Sequence, residues 1–229
     1  MKNIEYLLSE LTSPLYNRSQ MLSIIKTECK VFDTKVELSM CMEEFAELIE
    51  VITDNIIRER IDYIHLKEEM SDCYICIDKL RIIFGISNSD IDIPGKNHVY
   101  GSTNLLNNCI FNLSVCIQKL SKCIREKSNA NTKMIGVINT INETLYNLEK
   151  YYKIDSEDIL KITQLKIKRM NDRNISAIKE LKRKPDSIPR LGTSTEIKEE
   201  LNESCDGLLT EALDSDSTDD CNIKFTIEA

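Results

Sequence analysis

Two carboxylate pairs carry the spacing that chemistry would need. Glu44 and Glu47 lie inside MCMEEFAELIEVI (40–52), and Glu69 and Asp72 lie inside HLKEEMSDCYICI (65–77). Each pair is i, i+3, so on a helix both side chains project from one face. Met40, Glu44, Glu47 and Val51 share a stripe whose two ends are apolar, whereas Glu43 and Glu50 fall with Ser39 and Ala46 on a solvated one. On the second segment His65, Glu69, Asp72 and Cys76 form a stripe beside the apolar seam of Met70, Cys73 and Ile77. Two such helices packed antiparallel would bring four carboxylates together. Carboxylates held close repel one another and lose hydration, and such a cluster persists when cations neutralise it. Hard oxygen donors select Mg²⁺, with Mn²⁺ as a substitute, and Mg²⁺ usually completes its shell with water and substrate phosphates. A solvated face with ordinary i, i+4 pairs explains a lone E-x-x-E more simply. Two pairs on successive helices, both bordering apolar seams, put the two readings level.

One basic segment complements the acids. In LKIKRMNDRN (165–174), Lys166, Arg169 and Arg173 fall at i, i+3 and i+7 on one helical face. Such a face can grip a polyphosphate, arginine being suited to bidentate contact. Cations near a helix C-terminus also complement the helix dipole, so this face alone decides nothing.

The elements that must position these residues are helical. The 229 residues include 6 glycines, 4 prolines and no tryptophan, and 41% are hydrophobic. Few breakers among many Leu, Ile, Glu and Lys favour an all-α chain. The apolar period predicts helices over 1–11, 18–29, 34–54, 62–84, 105–126 and 131–152, with a last helix from about 156 to 182. Thr34 and Glu37 have capping-box spacing, Gly85 suits a helix stop, Ser156 offers an N-cap and Pro185 a terminator. The 9 cysteines lie mostly in apolar patterns as small core residues, and with 2 histidines in all, the C-x-x-C of Cys73 and Cys76 does not read as a zinc site. The expected compartment is the reducing cytoplasm, with no signal peptide and no membrane span. The net charge of −8 is concentrated from Glu196 onward, where 11 acids face 2 lysines. That leaves no basic surface for nucleic acid. The stretch ESCDGLLTEALDSDSTDD reads as disordered, and Leu208, Leu209 and Leu213 within it offer a protein partner a docking edge.

An internal repeat is visible at an offset of 68: LRIIFGISNSDI (80–91) aligns with LEKYYKIDSEDI (148–159). It pairs helices 34–54 and 62–84 with 105–126 and 131–152. The expected organisation is an N-terminal helical segment (1–35), a helical domain (36–183) and a disordered acidic tail (184–229). Within the domain, 36–91 is the acid-bearing repeat, 104–155 a degenerate repeat and 156–183 a basic closing helix. A repeated α-hairpin makes a bundle within one chain.

E-x-x-E followed by E-x-x-D, here Glu44-Phe45-Ala46-Glu47 and Glu69-Met70-Ser71-Asp72, resembles the metal motif of the all-α nucleoside triphosphate pyrophosphohydrolases, in particular their MazG-like branch. The flanks EEFAELI and HLKEEMSDCYICIDKL are similar to that family's metal-bearing helices, and KIKRMNDR to its basic closing segment. The resemblance implies Mg²⁺-dependent hydrolysis of an NTP or dNTP between its α and β phosphates, giving a monophosphate and pyrophosphate. It implies that Glu44, Glu47, Glu69 and Asp72 hold the metal and serve catalysis, with one of them or Glu43 orienting water. Lys166, Arg169, Asn171 and Arg173 would hold phosphate. The segment Tyr16–Asp33 would receive the base, where Phe32 either stacks on it or joins the core. At the 68-residue offset the four acids become Asn112, Val115, Val137 and Thr140, none of which replaces a carboxylate ligand. The implied assembly is therefore a pseudo-dimer of two tandem α-hairpins with one working site per chain, for which further oligomerisation is not required. An all-α dUTPase or a phosphoribosyl-ATP pyrophosphohydrolase shares the fold. The alternative from another class is a catalytically inactive scaffold whose acidic tail engages a partner.

Overall fold

The computed structural model describes residues 14–95, 104–126 and 131–183. Among them are six α-helices, one 3-10 turn at Asn88–Asp90 and no strand. The helices are α1 (Arg18–Val31), α2 (Thr34–Arg58), α3 (Tyr63–Phe84), α4 (Leu105–Glu126), α5 (Asn131–Tyr152) and α6 (Ser156–Arg183). The protein is thus an all-α helical bundle. Chain contacts divide it after Glu180 into two units, and the bundle is the first. The predicted helix over 1–11 and the acidic tail lie outside the described residues.

Local chemistry sets the helix ends, in two places differently from the sequence expectation. Asn17 and Gln20 form a reciprocal capping box at the start of α1, with both side chain to backbone contacts at 2.9 Å. Helix α2 is capped by Asp33, whose carboxylate accepts from Lys35 N at 2.7 Å, and not by the expected Thr34–Glu37 box. Glu37 is withdrawn from capping because it is buried in an ion pair. Helix α6 likewise takes its cap from Asp155, which accepts from Glu157 N at 2.9 Å, so Ser156 is already its first helical residue. Helix α3 starts at Asp62 and ends as expected at Gly85, whose φ of +62° is the left-handed conformation that glycine adopts without strain.

The expected apolar stripes form the core. Phe45, Leu48 and Ile52 of α2, Leu66, Met70 and Leu80 of α3, Leu113 and Leu120 of α4, and Ile138 and Ile141 of α5 are fully buried in one cluster. Burying each such side chain contributes about 1.5–3 kcal/mol. Helix α2 packs on α3 and α4, α5 packs on α4 and α3, and α1 packs on α3. Seven described cysteines carry free thiols, six of them buried, which is the core role expected of them. No described helix is long and apolar enough to cross a membrane.

A second, smaller core fixes α6. Met21, Ile24 and Ile25 of α1 meet Ile75 of α3 and Ile167 and Met170 of α6. Hydrogen bonds lock the same contact: Ser71 Oγ donates to Ile159 O at 3.2 Å, Gln164 Nε2 to Tyr16 O at 3.2 Å, and Asn174 Nδ2 to Ile24 O at 3.3 Å. Helix α6 therefore lies along both α1 and α3. That placement turns its basic face toward the acids of α2 and α3.

Candidate metal centre and anion cleft

The antiparallel pairing of α2 and α3 brings the two acid pairs together. Carboxylate oxygens of Glu44, Glu47 and Glu69 all lie within 4.8 Å of one another. Glu69 is only 8% exposed, Glu44 is half-buried, and Glu47 faces solvent. Glu69 Oε1 lies 3.3 Å from His65 Nε2, while its buried Oε2 finds no hydrogen-bond partner among the described residues. Glu43 and Glu50 stay exposed, as the stripes predict, and Glu43 is not among the three acids whose oxygens come together. The fourth acid differs from its three companions: Asp72 is joined directly to Lys166 Nζ of α6.

The proton affinities record this crowding. Burial first, then the charges of Asp72 and Glu47, push the Glu44 carboxyl up to about 7. Burial likewise pushes Glu69 up to about 8, with Lys166 opposing and the other three acids adding to the rise. Asp72 is also raised by burial, against the pull of Lys166. At each of the three, burial and the neighbouring acids outweigh the positive charge of Lys166. An oxygen trio with an unpartnered buried oxygen suits a hard divalent cation, so the cluster can bind a metal.

A cleft of about 190 Å³ opens beside the trio. Its acidic wall is Glu44 and Asp72, and its basic wall is Lys79, Lys166, Arg169 and Arg173. Met40, Ile75, Cys76 and Met170 supply the apolar lining. Three of the four residues expected to hold phosphate therefore share one cavity with two of the expected metal ligands. Asn171 does not: it is half-buried and outside the lining, because it sits off the stripe of Lys166, Arg169 and Arg173. Phe32 is half-buried just beyond the end of α1.

Three charged residues at the back of the cleft were not foreseen. Lys79 Nζ is 2.5 Å from Glu37 Oε2 and 3.9 Å from Glu28 Oε1, and Arg173 Nη2 donates to Glu28 Oε1 at 2.6 Å. Burial lowers the proton affinity of Lys79, but the hydrogen bond and charge of Glu37 outweigh it and hold the ammonium above its ordinary range. Burial raises Glu28, with Arg173 and Lys79 opposing. The signal was present in the stripes. One turn before Met40 on the acid stripe of α2 stands Glu37, and one turn after Cys76 on that of α3 stands Lys79. Glu28 continues the apolar stripe of Met21, Ile24 and Ile25. Comparison of the chain with protein-family models, with curated proteins and with solved structures finds no match.

Proposed function

We propose that the protein is a Mg²⁺-dependent nucleoside triphosphate pyrophosphohydrolase of the MazG-like type, cleaving an NTP or dNTP between the α and β phosphates. One observation carries the reading: a carboxylate cluster on α2 and α3 and a cationic face on α6 border the same cleft. Either half alone is ordinary. Together they offer a divalent-ion site next to a polyphosphate site, which is the pairing that phosphoryl chemistry needs.

Glu44, Glu47 and Glu69 would hold the metal, with Asp72 joining once Lys166 is drawn onto phosphate. The bound ion would neutralise the triphosphate and acidify a coordinated water. Lys166, Arg169 and Arg173 would bind the β and γ phosphates and keep the chain in line with the attacking oxygen. Water adds to the α phosphorus, the bond to the α–β bridging oxygen breaks, and the released proton passes to a carboxylate of the cluster or to solvent. Products are a nucleoside monophosphate and pyrophosphate. The apolar lining of Met40, Ile75 and Met170 offers dispersion contacts to the rest of the nucleotide. We read the fold as two tandem α-hairpins, α2–α3 and α4–α5. The pairing of α2 with α4 and of α3 with α5 supports this, as does the 68-residue repeat.

The test is pyrophosphate release from a panel of NTPs and dNTPs with Mg²⁺. Removing a partner of a metal ligand typically costs 10–100-fold, so Glu47→Gln and Asp72→Asn should each lose more than about 100-fold while remaining folded. A wild-type chain that releases nothing from any nucleotide supports the scaffold alternative instead.

A further inference from the structure

Glu28 is a buried charge that belongs neither to the apolar core nor to the carboxylate trio. Glu28 is 1% exposed and occupies an apolar stripe, where a leucine would pack against Ile24 and Ile25. A buried ion pair is usually no better for stability than well-packed apolar residues, because desolvating the charges offsets their attraction. What the carboxylate does and a leucine could not is grip a guanidinium. The Arg173 side chain is 53% exposed and lines the cleft, and among the described residues its ion pair is with Glu28. The contact engages Nη2, and a guanidinium fork carries five N–H donors, so donors remain for a second anion. Glu28 Oε2 is buried without a hydrogen-bond partner among the described residues, and both cations approach Oε1. Lys79, itself held by Glu37, completes a fixed pair of cations on that side of the cleft.

We propose that Glu28 is a positioning residue for anion binding: from α1 it holds Arg173 of α6 in order against the cleft, so that an incoming diphosphate or triphosphate meets a guanidinium already in place. The identity of that anion rests on the pyrophosphohydrolase reading, whereas the positioning role rests on the contact. An untethered arginine must be ordered at the moment of binding, and ordering one rotamer-rich side chain is worth roughly two- to tenfold in affinity. The sign of the effect separates positioning from simple electrostatics. Neutralising a carboxylate near an anion site should tighten anion binding by Coulomb's law alone. Neutralising one that positions the anion's partner should weaken it.

The experiment is calorimetric titration of the full chain with pyrophosphate in the presence of Mg²⁺. Glu28→Gln should raise the Kd roughly two- to tenfold, and Arg173→Gln should raise it at least as much. The double variant should lose much less than the sum of the two single losses, since Glu28 acts chiefly through that arginine, with Lys79 farther off at 3.9 Å. Glu28→Asp keeps the charge but shortens the reach, and it should weaken binding too. This second variant decides the matter should Glu28→Gln fail to give a cooperative melt. An unchanged or lower Kd in either Glu28 variant, additive losses in the double variant, or no pyrophosphate binding by the wild type would each overturn the role. The readout needs no turnover. A chain that binds pyrophosphate with this pattern yet releases none from any nucleotide ends the hydrolase reading and keeps the positioning role. A chain that hydrolyses nucleotides with an unchanged KM after Glu28→Gln does the reverse.

Discussion

Glu44 and Glu69 bind protons far more tightly in the fold than a solvated glutamate, at about 7 and about 8 against an ordinary 4.5. The sign of the resulting linkage follows from the raised values. Each carboxyl stabilises the fold while protonated. That stabilisation is fully present below about pH 4.5, where the unfolded chain is protonated too, and is lost as pH rises through 7 and 8. Metal-free protein should therefore melt at falling temperature between pH 5 and 8.5. Added Mg²⁺ should restore the loss most at the alkaline end, because the ion must displace those protons to bind. Thermal melts at several pH values, with and without Mg²⁺, measure both trends. A flat profile that ignores Mg²⁺ would contradict the cluster. The acids were legible in the sequence because a 3.6-residue period assigns side chains to faces without reference to neighbours. The ion pairs were not. Nothing in the sequence links Glu28 to Arg173, 145 residues away, or says that Lys166 would occupy Asp72.

At the scale of elements, the apolar period located the described helices; the starts at 34 and 156 held although the capping residue changed, while α1 and α2 run on to Val31 and Arg58 beyond the expected 29 and 54. Aspartate one residue earlier displaced the expected caps at Thr34 and Ser156, since its carboxylate reaches the N–H two residues on. Glu37 shows the consequence. Buried rather than capping, it meets Lys79 across the α2–α3 contact. Each step of seven along α2, from Glu37 to Glu44, is matched by a step of seven back along α3, from Lys79 to Asp72. The pair thus pins the register that brings the acids together. Removing one member leaves the other charged and buried, a loss of about 3–5 kcal/mol. Lys79→Met should lower stability by that amount in urea denaturation. The combined Glu37→Leu, Lys79→Met change should recover most of it, because the pair as a whole is close to neutral for stability. Equal destabilisation in the single and double variants would show that the pair does not act as a unit.

For the whole molecule, the reading predicts one metal centre per chain. The α4–α5 half places Asn112, Val115, Val137 and Thr140 where the 68-residue offset puts the four acids, and Val137 is fully buried. Titration with Mn²⁺, followed by the paramagnetic signal of the free ion, should show saturable binding that Glu44→Gln abolishes and Asn112→Ala or Thr140→Ala leaves intact. Survival of the site in the first variant, or its loss in the others, would place the metal elsewhere. All-α character and the two hairpin-length helix pairs followed from composition and period. The docking of α6 between α1 and α3 did not, because it depends on a small core assembled from three distant segments.

The meeting of Asp72 with Lys166 across 94 residues has a bearing on how the protein comes into being. A ribosome makes all four acids of the cluster long before the helix that carries Lys166, Arg169 and Arg173. On the proposed reading, the emerging polypeptide would therefore carry its metal ligands before it has the cationic face of α6. On that same reading, competence would arrive only with the final helix.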